Sequence, residues 1–102
     1  MCTLALYLRQ FEDFPLVIAA NRDEHFFRLS AAPRIISDDP VILAGKDLVA
    51  GGTWLGVNAR GVAAGIVNRS AKPERSIAAP RSRGLVCLEM LKEKNAAQAE
   101  EL

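Results

Sequence analysis

Cysteine, histidine and aromatic residues are scarce in this 102-residue chain, which has two Cys, one His, one Trp, one Tyr and four Phe. Two thiols, Cys2 and Cys87, are too few for a disulfide scaffold, and reduced thiols fit a cytoplasmic setting. A single histidine, His25, excludes a multi-histidine metal site and leaves no spare part for a Cys–His–Asn arrangement. No apolar run approaches the roughly 18–20 residues that span a bilayer. The N-terminus lacks a basic segment followed by a long apolar one, so no signal peptide is legible. Charge of one sign is not in excess either. Thirteen Lys/Arg against twelve Asp/Glu leave a net charge of +1, which argues against a dedicated nucleic-acid binder. Apolar residues are plentiful at 50%, enough to offset ordering entropy by burial, so disorder is not expected.

The charges are unevenly placed. Residues 1–68 hold seven acidic and six basic side chains, residues 69–83 one and five, and residues 84–102 four and two. The basic island overlaps a Pro- and Ala-containing stretch with no apolar period. It reads as a solvated loop in preference to an anion site.

Periodicity orders the rest. Thr3–Arg9 alternates, with Leu4, Leu6 and Leu8 on one face, and predicts a half-buried strand. Gln10–Pro15 reads as a turn, and Leu16–Ala20 as a strand buried on both faces. Asn21-Arg22-Asp23-Glu24-His25 follows as an abrupt polar cluster. Residues 26–40, with Pro33 and Pro40, predict irregular chain with a short strand near Ile35–Ile36. Val41–Ala44 predicts another strand ended by Gly45. Thr53–Val57 and Val62–Val67 flank Asn58-Ala59-Arg60-Gly61, a type I turn closing into a glycine bulge. Arg83–Lys94 turns helical, with Cys87, Leu88 and Leu91 on one face, and Asn95 is placed to cap a second helix over Ala96–Leu102. The expected fold is α+β, an antiparallel sheet with one or two helices. Sheets this apolar need cover on both faces, so the 102 residues read as an incomplete and poorly stable domain.

The first hairpin has a chemical consequence. If Arg9 pairs with Leu16, opposed residues sum to about 25, and Cys2 falls beside Asn21–Glu24, give or take two positions. Removal of Met1 would leave Cys2 with a free α-amine, whose pKa near 7.7–8.0 suits a base for a thiol titrating near 8.5. One residue then supplies nucleophile and base. Arg22 would lower the thiol pKa and orient a carboxylate or amide substrate, and Asp23 would hold the ammonium or Arg22. Asn68, at the end of an apolar strand, suits oxyanion donation and a simple turn equally well. Trp54 is read as core in preference to a pocket wall, and Cys87 as a packing residue. Asp23, Glu24 and His25 are contiguous and cannot all face one ion from a strand, so no metal site is expected. Gly51-Gly52 precedes a strand rather than a helix and does not read as a phosphate cradle.

The same residues carry a resemblance. Met1-Cys2-Thr3, Ala19-Ala20-Asn21-Arg22-Asp23-Glu24, Leu43-Ala44-Gly45-Lys46-Asp47, Gly51–Asn58 and Arg81-Ser82-Arg83-Gly84 resemble the NRDE family, the transport and Golgi organisation protein 2 family. The resemblance covers nearly the whole chain. It implies a branch of the N-terminal-nucleophile hydrolase superfamily and hence the N-terminal part of an αββα sandwich. Cysteine relatives such as bile-salt hydrolases and penicillin V acylases cleave amides. By that likeness Cys2, Arg22, Asp23 and Asn68 would be catalytic, with Asn21, Glu24 and Trp54 contacting substrate. The relatives separate the Arg and Asp by two residues, whereas Arg22 and Asp23 are adjacent, so Glu24 or Asn21 are alternatives to Asp23. Family members are much longer than this chain, so later site residues would lie beyond Leu102. Eukaryotic members are linked to Golgi organisation, secretion and haem mobilisation. The resemblance therefore implies either a cysteine amidohydrolase acting on a small-molecule carboxamide, with no cofactor, or a non-catalytic carrier of haem or another hydrophobic anion.

Overall fold

Alternating leucines build the first strand where their spacing predicts, but its face is not half-buried along its length: Leu4 is half-buried, whereas Leu6 and Leu8 are exposed. In the computed structural model, which describes residues 3–22, 28–67 and 83–102, β1 (Thr3–Phe11) pairs antiparallel with β2 (Phe14–Asn21). Leu4, Leu6 and Leu8 oppose Ala20, Ile18 and Leu16, so all six share one face. The turn is shorter than expected, with only Glu12 and Asp13 between the strands. Phe11 pairs with Phe14 but Leu8 with Leu16, so β1 absorbs one extra residue. That bulge lies across from Pro15, which has no N–H for the ladder, and Arg9 takes the distortion at φ 55°. Beyond it, opposed residues sum to 24 rather than 25, and the last described pair is Thr3 with Asn21. Nor is β2 buried on both faces. Val17 and Ile18 are half-buried, while Leu16 and the rest of the strand are exposed.

The second sheet is a four-stranded meander, β3 (Ser30–Asp38), β4 (Val41–Asp47), β5 (Leu55–Asn58) and β6 (Ala63–Gly65), in that order. The stretch expected to be mostly irregular is thus a nine-residue strand. Pro33 is tolerated because β3 is an edge strand and its register shifts between Ala31 and Arg34, where the missing donor sits. Gly45 does not end β4. A side chain there would lie 2.5 Å from the Trp54 ring, so the glycine is a slot for that indole. The predicted β5–β6 turn forms: Asn58 N–H donates to Val62 O at 2.8 Å, Gly61 N–H to Asn58 O at 3.3 Å, and Gly61 has φ 90°.

Helices α1 (Arg83–Met90) and α2 (Ala96–Glu100) follow. Asn95 caps α2 as read, its side-chain oxygen accepting from Gln98 N–H at 2.9 Å. α1 stops four residues before Lys94 because the chain breaks off to give its carbonyls to Asn58, whose side-chain N–H groups reach Leu91 O at 2.9 Å and Glu93 O at 3.0 Å. Leu91, fully buried, packs with Ile42 and Ala44, flanked by Ile36 and Ala64. The hairpin approaches the other side of the meander, where Leu4 Cδ1 would meet a side chain at Gly65. Leu16 and Ile18 of β2 face Pro33, Leu43, Leu55 and Val57 across an apolar groove of about 310 Å³. The architecture is α+β, with antiparallel sheets and two short helices.

Candidate functional site

The polar cluster begins where β2 runs out. At its last rung the Asn21 side-chain oxygen accepts a 2.6 Å hydrogen bond from Thr3 N–H, tying the end of β2 to the start of β1. One residue further, the Arg22 guanidinium lies 4.8 Å from the centre of the Trp54 ring, a cation–π distance. Its side chain is only 16% exposed, and its Nη2 is 3.9 Å from Asp47 Oδ2. Trp54 is half-buried because it leans on Gly45 while keeping a face for the cation. It is therefore both packing residue and wall.

Asp47, the last residue of β4, organises this corner. Oδ1 accepts from Val49 N–H at 2.9 Å and Ala50 N–H at 3.2 Å, an Asx turn that starts the loop to Gly52. Oδ2 accepts from Arg28 Nη2 at 2.6 Å and Nε at 3.1 Å. Burial pushes the Asp47 carboxyl pKa up, but the Arg28 guanidinium and the Val49 and Ala50 amides more than offset this and hold it below the ordinary value. Because the folded pKa is lowered, the ionised carboxylate adds stability that is present above the unfolded pKa of about 3.9 and lost as pH falls through the folded value. At pH 7 the wild-type urea midpoint should therefore exceed that of Asp47→Asn, and the gap should close below about pH 4. A gap unchanged between pH 7 and pH 3 would show that the charge contributes nothing.

Of the residues expected from sequence, Asn21, Arg22 and Trp54 are described, and Arg22 and Trp54 are brought into contact. Cys2, Asp23, Glu24 and Asn68 lie outside the described residues, as do His25 and most of the basic island. Asp47 was not singled out, although an Asp followed by Leu48-Val49-Ala50-Gly51 carries the signal of an Asx turn. Asn58 was read only as a turn residue. Its second role, across 33 residues to Leu91, leaves no local trace. Among the described residues no three His, Cys, Asp or Glu side chains converge as metal ligands.

Comparison with known proteins identifies a family for the chain. The family model for Transport and Golgi organisation 2 matches residues 1–102. The chain belongs to that family. Within the Transport and Golgi organisation 2 family, the mouse Transport and Golgi organization 2 homolog is 40% identical over 58 residues, covering 54% of this chain and 21% of its own length. The human and bovine homologs are 40% and 38% identical over 58 residues with the same coverage. The matched region is thus about a fifth of the length of these relatives. No solved structure matches. Among the described residues of this family member, no helix is long and apolar enough to cross a membrane.

Proposed function

We propose that this member of the family is an N-terminal cysteine amidohydrolase that acts on a carboxamide C–N bond. The observation that supports this best is the Thr3–Asn21 rung with Arg22 next in the chain, at cation–π distance from Trp54. Position 2 directly precedes Thr3 in the chain. With Met1 removed, the Cys2 amine takes the thiol proton and the thiolate attacks the amide carbonyl. The C–N bond breaks, the amine leaves with that proton, and water hydrolyses the thioester to the acid. Arg22 orients the substrate, Asn68 donates to the oxyanion, and Asp23, Glu24 or Asn21 steadies the cation. Trp54 and the groove beyond it accept the apolar part of the substrate.

Intact mass of the full-length protein, before and after a brief pulse of iodoacetamide, tests the reading. Expected are a mass lacking Met1 and one rapid adduct at Cys2. Cys87 serves as an internal control: burial pushes its pKa up to about 11, leaving roughly 0.1% thiolate at pH 8. Retention of Met1, or Cys2 labelling no faster than a free thiol, would defeat the mechanism. The groove lined by Leu16, Ile18, Leu43, Leu55 and Val57 favours a second reading, a carrier of haem or another hydrophobic anion. In that case Cys2→Ala should leave haem affinity intact in a titration, while Leu43→Gln, in the groove wall, should weaken it.

A further inference from the structure

Asp47 faces two arginines with one carboxylate, and the two are not held alike. Arg28 makes a two-pronged contact to Oδ2 at 2.6 and 3.1 Å, and Oδ1 is already occupied by the Val49 and Ala50 amides. Arg22 is left at 3.9 Å, too far for a hydrogen bond, with its guanidinium carbon 4.8 Å from the centre of the Trp54 ring. A guanidinium carries five N–H donors, and neither of these two contacts is a hydrogen bond to an oxygen acceptor. The corner thus fixes where Arg22 sits while, among the described residues, pairing its donors with no acceptor at hydrogen-bond distance.

From this we infer that Asp47 and Trp54 are positioning residues that hold the Arg22 guanidinium just past the end of β2, its donors meeting no acceptor within hydrogen-bond distance among the described residues and so available to an anionic or carbonyl group of the substrate. The inference rests on the reading of Arg22 as a substrate-orienting group. Asp47 is occupied by Arg28 and its own turn, so it attracts Arg22 without capturing it. Trp54, seated on Gly45, supplies the surface that stops the side chain folding elsewhere.

The Cys2 thiol of the full-length protein can report this through two small probes, anionic iodoacetate and neutral iodoacetamide. The ratio of their rate constants at Cys2, relative to a free thiol, measures the positive charge presented there. For wild type the relative ratio should be roughly three, the scale of a nearby unit charge in a wet site. Arg22→Gln should return it to about one. Asp47→Asn separates the alternatives by sign. Removing a negative charge raises the ratio if charge alone matters, whereas loss of positioning lowers it toward the Arg22→Gln value. Trp54→Leu changes no charge, so it should leave the ratio unchanged under charge alone and lower it under positioning. It also decides the question if Asp47→Asn, checked by circular dichroism, fails to fold. A fall in Arg22→Gln with a rise or no change in the other two would overturn the positioning role while sparing that of Arg22. No change in Arg22→Gln would overturn both.

Discussion

Asn58→Ala should cost about 3–5 kcal/mol of stability, a large share of the 5–15 kcal/mol typical of a whole domain. The side chain uses its full hydrogen-bonding capacity. Its two N–H donors go to Leu91 O and Glu93 O, and its oxygen accepts from Arg60 N–H and Val62 N–H, both at 2.9 Å. Asn58 is 7% exposed, so water cannot replace these partners after truncation. Two consequences add together: the β5–β6 turn loses its internal brace, and the chain after α1 loses its anchor to the sheet. Asn58→Asp sharpens the test because it keeps the acceptors but turns a carboxylate toward two carbonyl oxygens. Urea unfolding should show both variants with midpoints far below wild type. A loss under about 1 kcal/mol in Asn58→Ala would mean that the four bonds are replaceable.

The two adjacent glycines before Thr53 should respond very differently to alanine. A side chain at Gly52 would sit 2.6 Å from the Leu85 amide nitrogen and closer still to the Gly84 carbonyl group, all backbone atoms that no rotamer change can move. α1 would have to retreat, and the 3.1 Å hydrogen bond from Thr53 N–H to Gly84 O would break with it. Gly52→Ala is expected to lose about 3 kcal/mol or more, at the upper end of overpacking costs. At Gly51 nothing lies within 4 Å of an added side chain, but φ is 83°, so Gly51→Ala should cost only the left-handed strain of about 1–2 kcal/mol. Denaturant midpoints of the two variants, with amide exchange at Thr53, make the comparison. Equal losses would argue against the close approach, as would a protected Thr53 amide in Gly52→Ala.

Local chemistry was readable where neighbours in sequence are neighbours in space. The Asn58–Gly61 turn and the Asn95 cap use partners within four residues and formed as read, while the alternation of Leu4, Leu6 and Leu8 predicts the strand but not the exposure of Leu6 and Leu8. The register of the first hairpin was read one residue off beyond the bulge, because the response of Arg9 to Pro15 across the ladder is a contact between strands. β3 was read too short because prolines suggest irregular chain, and only its place at the sheet edge shows why Pro33 can stay.

The candidate site divides along the same line. Its polar cluster, Asn21 and Arg22 at the end of a strand leading back to the N-terminus, was visible from pattern and motif, and so was Trp54. Only the tertiary structure decided that Asp47, 25 residues from Arg22, is its neighbouring carboxylate, and that Gly45 exists to seat the indole under the guanidinium. Hydrophobic period and turn chemistry are written residue by residue, so they determine elements. Charge pairs and close approaches depend on how those elements are superposed, and in this chain that follows from the meander turning Asp47 and Trp54 back toward the end of β2.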